Sequence, residues 1–177
     1  MRLFFQMVAI SCIVSCATGC DSFNSLEADL TGKADSTLRF WAELQGIQWH
    51  GNREISGLNE ANSVASRAHD VEGVASGFSM LSEKHSQLAA KLSALHENTV
   101  DESAIVYRDR LVTAHQALCE EYKEHAAAAN DRDSHRLEQG RPELKSLLTE
   151  YTRLCNEKNT VISTLQKRYN CSFDVAE

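Results

Sequence analysis

From Phe23 to Tyr169, apolar side chains return every three or four residues, and the whole 177-residue chain holds one proline, Pro142, and eight glycines. A chain so poor in breakers turns rarely. The three-four spacing lays apolar residues along one helix face, whereas strands would alternate every second residue. Ala, Leu, Glu, Ser and Lys are plentiful and aromatics make up only 7% of residues, a helical bias. The pattern predicts an all-α protein: an elongated antiparallel helical bundle with coiled-coil character, with three long helices or four in total. A hydrophobic share of 42% and a charged share of 24% suit a globular chain of one domain, expected over residues 20–177.

Four amphipathic segments can be traced. Phe23, Leu26, Leu30, Ala34, Leu38, Trp41 and Leu44 form the first stripe, which Gly46 and Trp49-His50-Gly51-Asn52 are expected to end. The second pattern runs from Ile55 to His96. In it Val64, Val71, Phe78, His85 and Leu92 are seven apart, as are Val74, Leu81, Leu88 and Leu95, which together make an a/d seam. Such a helix of roughly 40 residues is about 60 Å long, so a short first helix covers only part of it. Gly73 and Gly77 either bend this helix or admit a close neighbour. Thr99 and Glu102 form a capping-box pattern, with Asp101 adding negative charge at a helix start.

The third segment carries Ile105, Val112, Cys119 and Ala126 on one heptad line, with Leu111, Leu118 and Tyr122 beside it, and fades into Asn130-Asp131-Arg132-Asp133. Gly140 and Pro142 mark the next break, with Pro142 in the first turn of the last helix. There Leu144, Leu148, Tyr151, Cys155, Lys158, Ile162, Leu165 and Tyr169 alternate by fours and threes, and Leu147, Leu154 and Val161 widen the stripe.

Residues 3–19 carry no charge; Arg2 precedes them and Asp21 follows. This is the layout of a secretory signal peptide, with its positive end retained inside. Ala17, Thr18 and Gly19 are small, and Cys20 comes next. The stretch resembles the lipobox of bacterial lipoproteins, although Ala17 stands where Leu is usual and Cys16 is atypical at its position. Ile13-Val14-Ser15-Cys16 forms a competing box; Cys20 is favoured because it lies at the polar boundary and gives the longer apolar run.

The resemblance implies removal of residues 1–19, a diacylglycerol on the Cys20 thiol with palmitate-type acyl chains, and lipid anchoring on the exported side of a cell membrane, in the periplasm or at the cell surface. Asp21 beside the lipidated cysteine implies inner-membrane retention if the source is an enteric bacterium. Two other readings are a plain signal cut after Gly19 or Ala17, and an uncleaved anchor. For the anchor the 17-residue run is at the short end of the roughly 17–25 residues that span a bilayer. No flexible polar tether follows Cys20, so the domain is expected close to the membrane.

The formal net charge is −7, and Arg2 is the only charged residue in positions 1–19, so the remainder carries −8. Nucleic acids and anionic membrane surfaces call for a basic footprint, so neither is expected as the main partner. The chain has no glycine-rich phosphate loop, no Gly-x-Ser-x-Gly elbow and no dense carboxylate cluster, and it reads as a non-enzyme without a cofactor.

Of six cysteines, Cys119, Cys155 and Cys171 lie beyond the apolar run. If the third and fourth helices form a hairpin turning near residue 137, Cys119 and Cys155 share a level and can form a disulfide; otherwise they are buried thiols. His85, His115, Cys119 and His125 are the candidates for a metal or small-ligand site, but their spacing lacks the usual motifs. The leading expectation is a membrane-tethered structural or protein-interaction module of the cell envelope, which binds an unidentified protein or its own copies. The alternative is an envelope protein that binds a small ligand or metal through those four residues.

Overall fold

The computed structural model describes residues 20–96 and 98–173, with side chains from residue 30 onward. The lipobox-like segment, including Cys16, lies outside the described residues. Four helices follow in order: α1 (Cys20–Arg67), α2 (Val71–Ser93), α3 (Glu102–Asn130) and α4 (Ser134–Tyr169). They pack against each other as a helical bundle, and among the described residues there is no strand.

The first helix is longer than the sequence pattern suggested. It continues for 48 residues, through Gly46 and Trp49-His50-Gly51-Asn52, and is the longest element at about 70 Å. Glycine inside a helix costs up to about 1 kcal/mol, an amount that packing can offset. Leu44, Gln48, Gly51 and Ile55 are all buried along this stretch. Gly51 is a close-approach position, since a methyl group there would run into the Leu88 side chain on α2.

The actual break falls at Ala68-His69-Asp70. His69 takes a left-handed conformation (φ 58°) and the Asp70 backbone N–H donates to Ala65 O at 3.0 Å, while the Asp70 carboxylate accepts from the Gly73 N–H and caps α2. This turn cuts the heptad line between Val64 and Val71, and both are solvent-exposed. No glycine marks the left-handed position, so the usual sign of a helix end is missing. The α3–α4 turn repeats the device. Arg132 is left-handed (φ 55°), the Asp133 N–H donates to Ala128 O at 2.9 Å, and the Asp133 side chain caps α4 through the Arg136 N–H.

Pro142 also departs from expectation, because it lies inside α4 and not in its first turn. Lacking an N–H, it leaves the Glu138 carbonyl without its helical donor. Pro142 and Glu138 are both exposed, so water can take that donor's place. At the start of α3 the cap is Asp101, which accepts from the Ser103 N–H at 2.8 Å; Thr99 lies outside the helix with φ 66°.

The bundle is two hairpins, α1–α2 and α3–α4, whose three-residue turns lie at one end; the α2–α3 connection closes the other. The α2–α3 pair packs most extensively, α1 rests on α2, α4 rests on α3, and α1 reaches α3 and α4 at few places. Two apolar clusters form the core. One gathers Phe40, Trp41, Leu44, Leu92, Leu111 and Leu165 toward the α2–α3 connection. The other joins Ile55, Leu81, Leu88, Leu118 and Tyr122 toward the two short turns. Among the described residues no helix is long and apolar enough to cross a membrane.

Candidate functional site

Between the two apolar clusters every helix contributes a polar side chain to one layer. His85 from α2 and His115 from α3 are 1% and 0% exposed, and their Nδ1 atoms are 2.8 Å apart. His115 Nε2 lies 3.0 Å from the side-chain amide nitrogen of Gln48 on α1. The Tyr151 hydroxyl on α4 is 3.0 Å from Gln48 Oε1 and 2.6 Å from Asn52 Oδ1, where the chain of contacts reaches the surface.

Proton counting restricts this layer. One hydroxyl proton cannot serve both amide oxygens, and one proton lies between the two Nδ1 atoms. Two arrangements satisfy every link. In the first, the Gln48 amide is turned over so that Oε1 faces His115: Tyr151 donates to Asn52, the Gln48 amide N–H to Tyr151, His115 Nε2–H to Gln48 Oε1, and His85 Nδ1–H to His115. In the second, the Asn52 amide is turned over so that its N–H donates to Tyr151, and Tyr151 donates to Gln48, Gln48 to His115 Nε2, and His115 Nδ1–H to His85. Both rings are neutral in either case, and in both His85 Nε2 is left without a partner. A buried polar atom left unpaired in this way costs about 1–3 kcal/mol.

Burial accounts for the electrostatics. It pushes the His85 pKa down to about 4, and burial together with the neighbouring His85 pushes His115 down to about 3. Tyr122 stacks on His85 at 5.5 Å between centroids and has its phenol pushed up to about 12 by burial, while Tyr151 lies against His115 at 5.0 Å. The layer thus excludes charge while ordering one donor-acceptor chain across all four helices.

The four metal or ligand candidates do not converge. His85 and His115 meet, but Cys119 turns toward Ser82, whose hydroxyl donates to Cys119 O at 2.9 Å and is 3.5 Å from its Sγ. His125 Nδ1–H donates to Glu121 O at 3.0 Å, has the Glu121 carboxylate at 3.3 Å and packs its ring on Phe78. Among the described residues no group of three or more His, Cys, Asp or Glu is placed to hold a metal ion.

The Cys119–Cys155 disulfide is not formed either; Cys119, Cys155 and Cys171 are free thiols. The α3–α4 turn centres on Arg132 and not on residue 137, so Cys119 is level with residue 145. Cys155 is then displaced by ten residues, roughly 15 Å along the axis. Cys155 sits beside the Tyr151 hydroxyl instead, and burial pushes its thiol pKa up. Cys20 is the first described residue of α1, and its side chain is not among those described.

A second polar junction lies toward the α2–α3 connection. The buried Asp101 carboxylate accepts from Arg168 at 2.5 Å and from the Tyr169 hydroxyl at 2.8 Å, and its backbone N–H donates to Thr37 Oγ1 at 2.9 Å. It ties α1 and α4 to the start of α3. Sequence periodicity singled out His85 and His115 but not Gln48, Asn52 or this hub. The available signal for Gln48 was a polar residue on the line through Leu44, Gln48 and Ile55, hidden by the expected helix end at Gly46.

Compared with models of protein families, with curated proteins and with solved structures, the chain matches none.

Proposed function

We propose that this chain is an exported, lipid-anchored helical bundle that serves as a structural or protein-interaction module of the cell envelope. The observation that carries the reading is the apolar run of residues 3–19 ending at Cys20, the first described residue, which already lies within α1. A lipid on Cys20 would continue directly into a long helix, so the bundle would stand on the membrane without a flexible linker. The end bearing the α2–α3 connection would then face the anchor, and the two short turns would point away from it. Trp49, Val64, Val71, Met80 and Leu148 are exposed apolar side chains on the more distant part and offer contact surface to a protein partner.

Mass spectrometry of the natural N-terminus tests this reading. The expected peptide begins at Cys20 and carries a diacylglycerol mass, and the protein fractionates with membranes. An intact Met1 terminus in the soluble fraction of the cell interior would overturn it. Sedimentation of the lipid-free domain tests the second half: self-association, or a larger complex recovered by cross-linking in the envelope, is expected.

A further inference from the structure

The histidine layer is more than a packing device. The first helix reaches α3 and α4 at few places, and the layer links it to both, through Gln48 with His115 and Gln48 with Tyr151. We propose that the His85–His115 pair is an acid-sensitive latch, and that proton uptake by the two rings parts α2 from α3 and loosens the helices around them at the end carrying the short turns.

The argument rests on geometry. Two Nδ1 atoms 2.8 Å apart leave room for one proton, so a doubly protonated pair would set two N–H groups against each other. A singly protonated pair keeps its bond but places a full charge in the interior. What faces the rings cannot neutralise it. The first helix brings the neutral Gln48 and, further out, Asn52. The second brings Lys84, the residue before His85, which is itself cationic and paired with Glu54. The third brings Tyr122 and, one turn from His115, Cys119; the fourth brings Tyr151 and Cys155. No carboxylate touches either ring among the described hydrogen bonds and ion pairs. His125 makes the contrast: it is also buried, yet it has the Glu121 carboxylate at 3.3 Å, so a proton there meets a counter-charge.

Opening relieves the pair because separated, hydrated imidazoles accept protons readily near pH 6.5. The opening has a natural pivot. Asp101 holds Thr37 of α1 and Arg168 and Tyr169 of α4, and its pKa lies below the ordinary carboxylate value, so this clamp stays charged in mild acid. The cluster of Ile55, Leu81, Leu118 and Tyr122 therefore loosens, while that of Phe40, Leu111 and Leu165 stays closed.

Amide hydrogen exchange on the full chain between pH 6 and pH 4.5, corrected for intrinsic exchange rates, tests the latch. Two protons taken up on opening change the open-to-closed ratio about 100-fold per pH unit. That slope is expected at amides around Ile55, Leu118 and Tyr122, with little change around Phe40 and Leu111. The H85Q/H115Q double variant is expected to flatten the slope, and H125Q to leave it unchanged. An equal slope in the double variant would overturn the proposal. Should that variant fail to fold, the wild-type chain decides alone: a slope near zero, or one shared uniformly by both clusters, would overturn it.

Discussion

His85 Nδ1 and His115 Nδ1 are joined by a single proton at 2.8 Å inside an interior that admits almost no solvent. Each ring therefore depends on the other for its only link on that side, and the two substitutions should not act independently. His115→Leu removes partners from both His85 and Gln48, and is expected to cost about 2–4 kcal/mol of folding stability. The double variant H85L/H115L removes both polar rings, and should cost less than the sum of the single variants by about 1–3 kcal/mol. Urea unfolding of the four proteins at pH 7 measures this coupling. Strict additivity would mean that the two rings do not depend on each other.

Asp101 should govern stability in stronger acid. Burial alone would raise its pKa, but the Ser103 N–H, the Arg168 guanidinium and the Tyr169 hydroxyl together hold the carboxyl below its usual value. The unfolded chain consequently takes up this proton at a higher pH than the folded protein does. The stabilisation is complete above about pH 4, near the ordinary carboxylate pKa, and is lost as pH falls through the lowered folded value. Asp101→Asn is expected to cost about 1–3 kcal/mol at pH 7, because the charge-assisted hydrogen bonds that the buried carboxylate accepts from Ser103, Tyr169 and the half-exposed Arg168 become neutral ones. Thermal unfolding between pH 2 and pH 5 should show a loss in the wild type that is much smaller in the variant.

Two glycines on α1 predict opposite outcomes for the same change. An added methyl at Gly51 meets Leu88, so Gly51→Ala should destabilise by about 1–3 kcal/mol. Leu88→Ala leaves a cavity of its own, and in that background the Gly51→Ala step should cost much less, since the added methyl then has room. At Gly46 a methyl meets nothing within 4 Å, and Gly46→Ala should stabilise by about 0.5–1 kcal/mol through better helix propensity. Thermal unfolding of the four variants, Gly51→Ala, Leu88→Ala, their double and Gly46→Ala, checks the signs.

The all-helical bundle was legible because periodicity reports which residues face a core. On α2 the seam residues Leu81, His85, Leu88 and Leu92 are all buried. The helix boundaries were less legible. Gly46 and Pro142 are breakers by propensity, but packing at Gly51 and solvent exposure at Pro142 let the helices continue. The true turns use His69 and Arg132 in left-handed conformations, and neither residue type advertises that role. The alternative of a Cys119–Cys155 disulfide hung on the same boundary: with the turn centred five residues before 137, Cys155 shifts in level against Cys119 and both are free thiols. Of the candidate site, His85 and His115 could be picked from a helical wheel. Their meeting through Nδ1, and the link to Gln48 and Tyr151, depended on how four helices are set against one another, which a single sequence does not encode locally.

The most direct test of the neutral histidine pair is a long-range proton–nitrogen NMR spectrum of the imidazoles in the full chain at pH 6. An exposed histidine is mostly protonated there. With values of about 4 and about 3, His85 and His115 should both be neutral, with one Nδ1–H shared between the rings. An imidazolium signal from either ring at that pH in the folded protein would contradict the account.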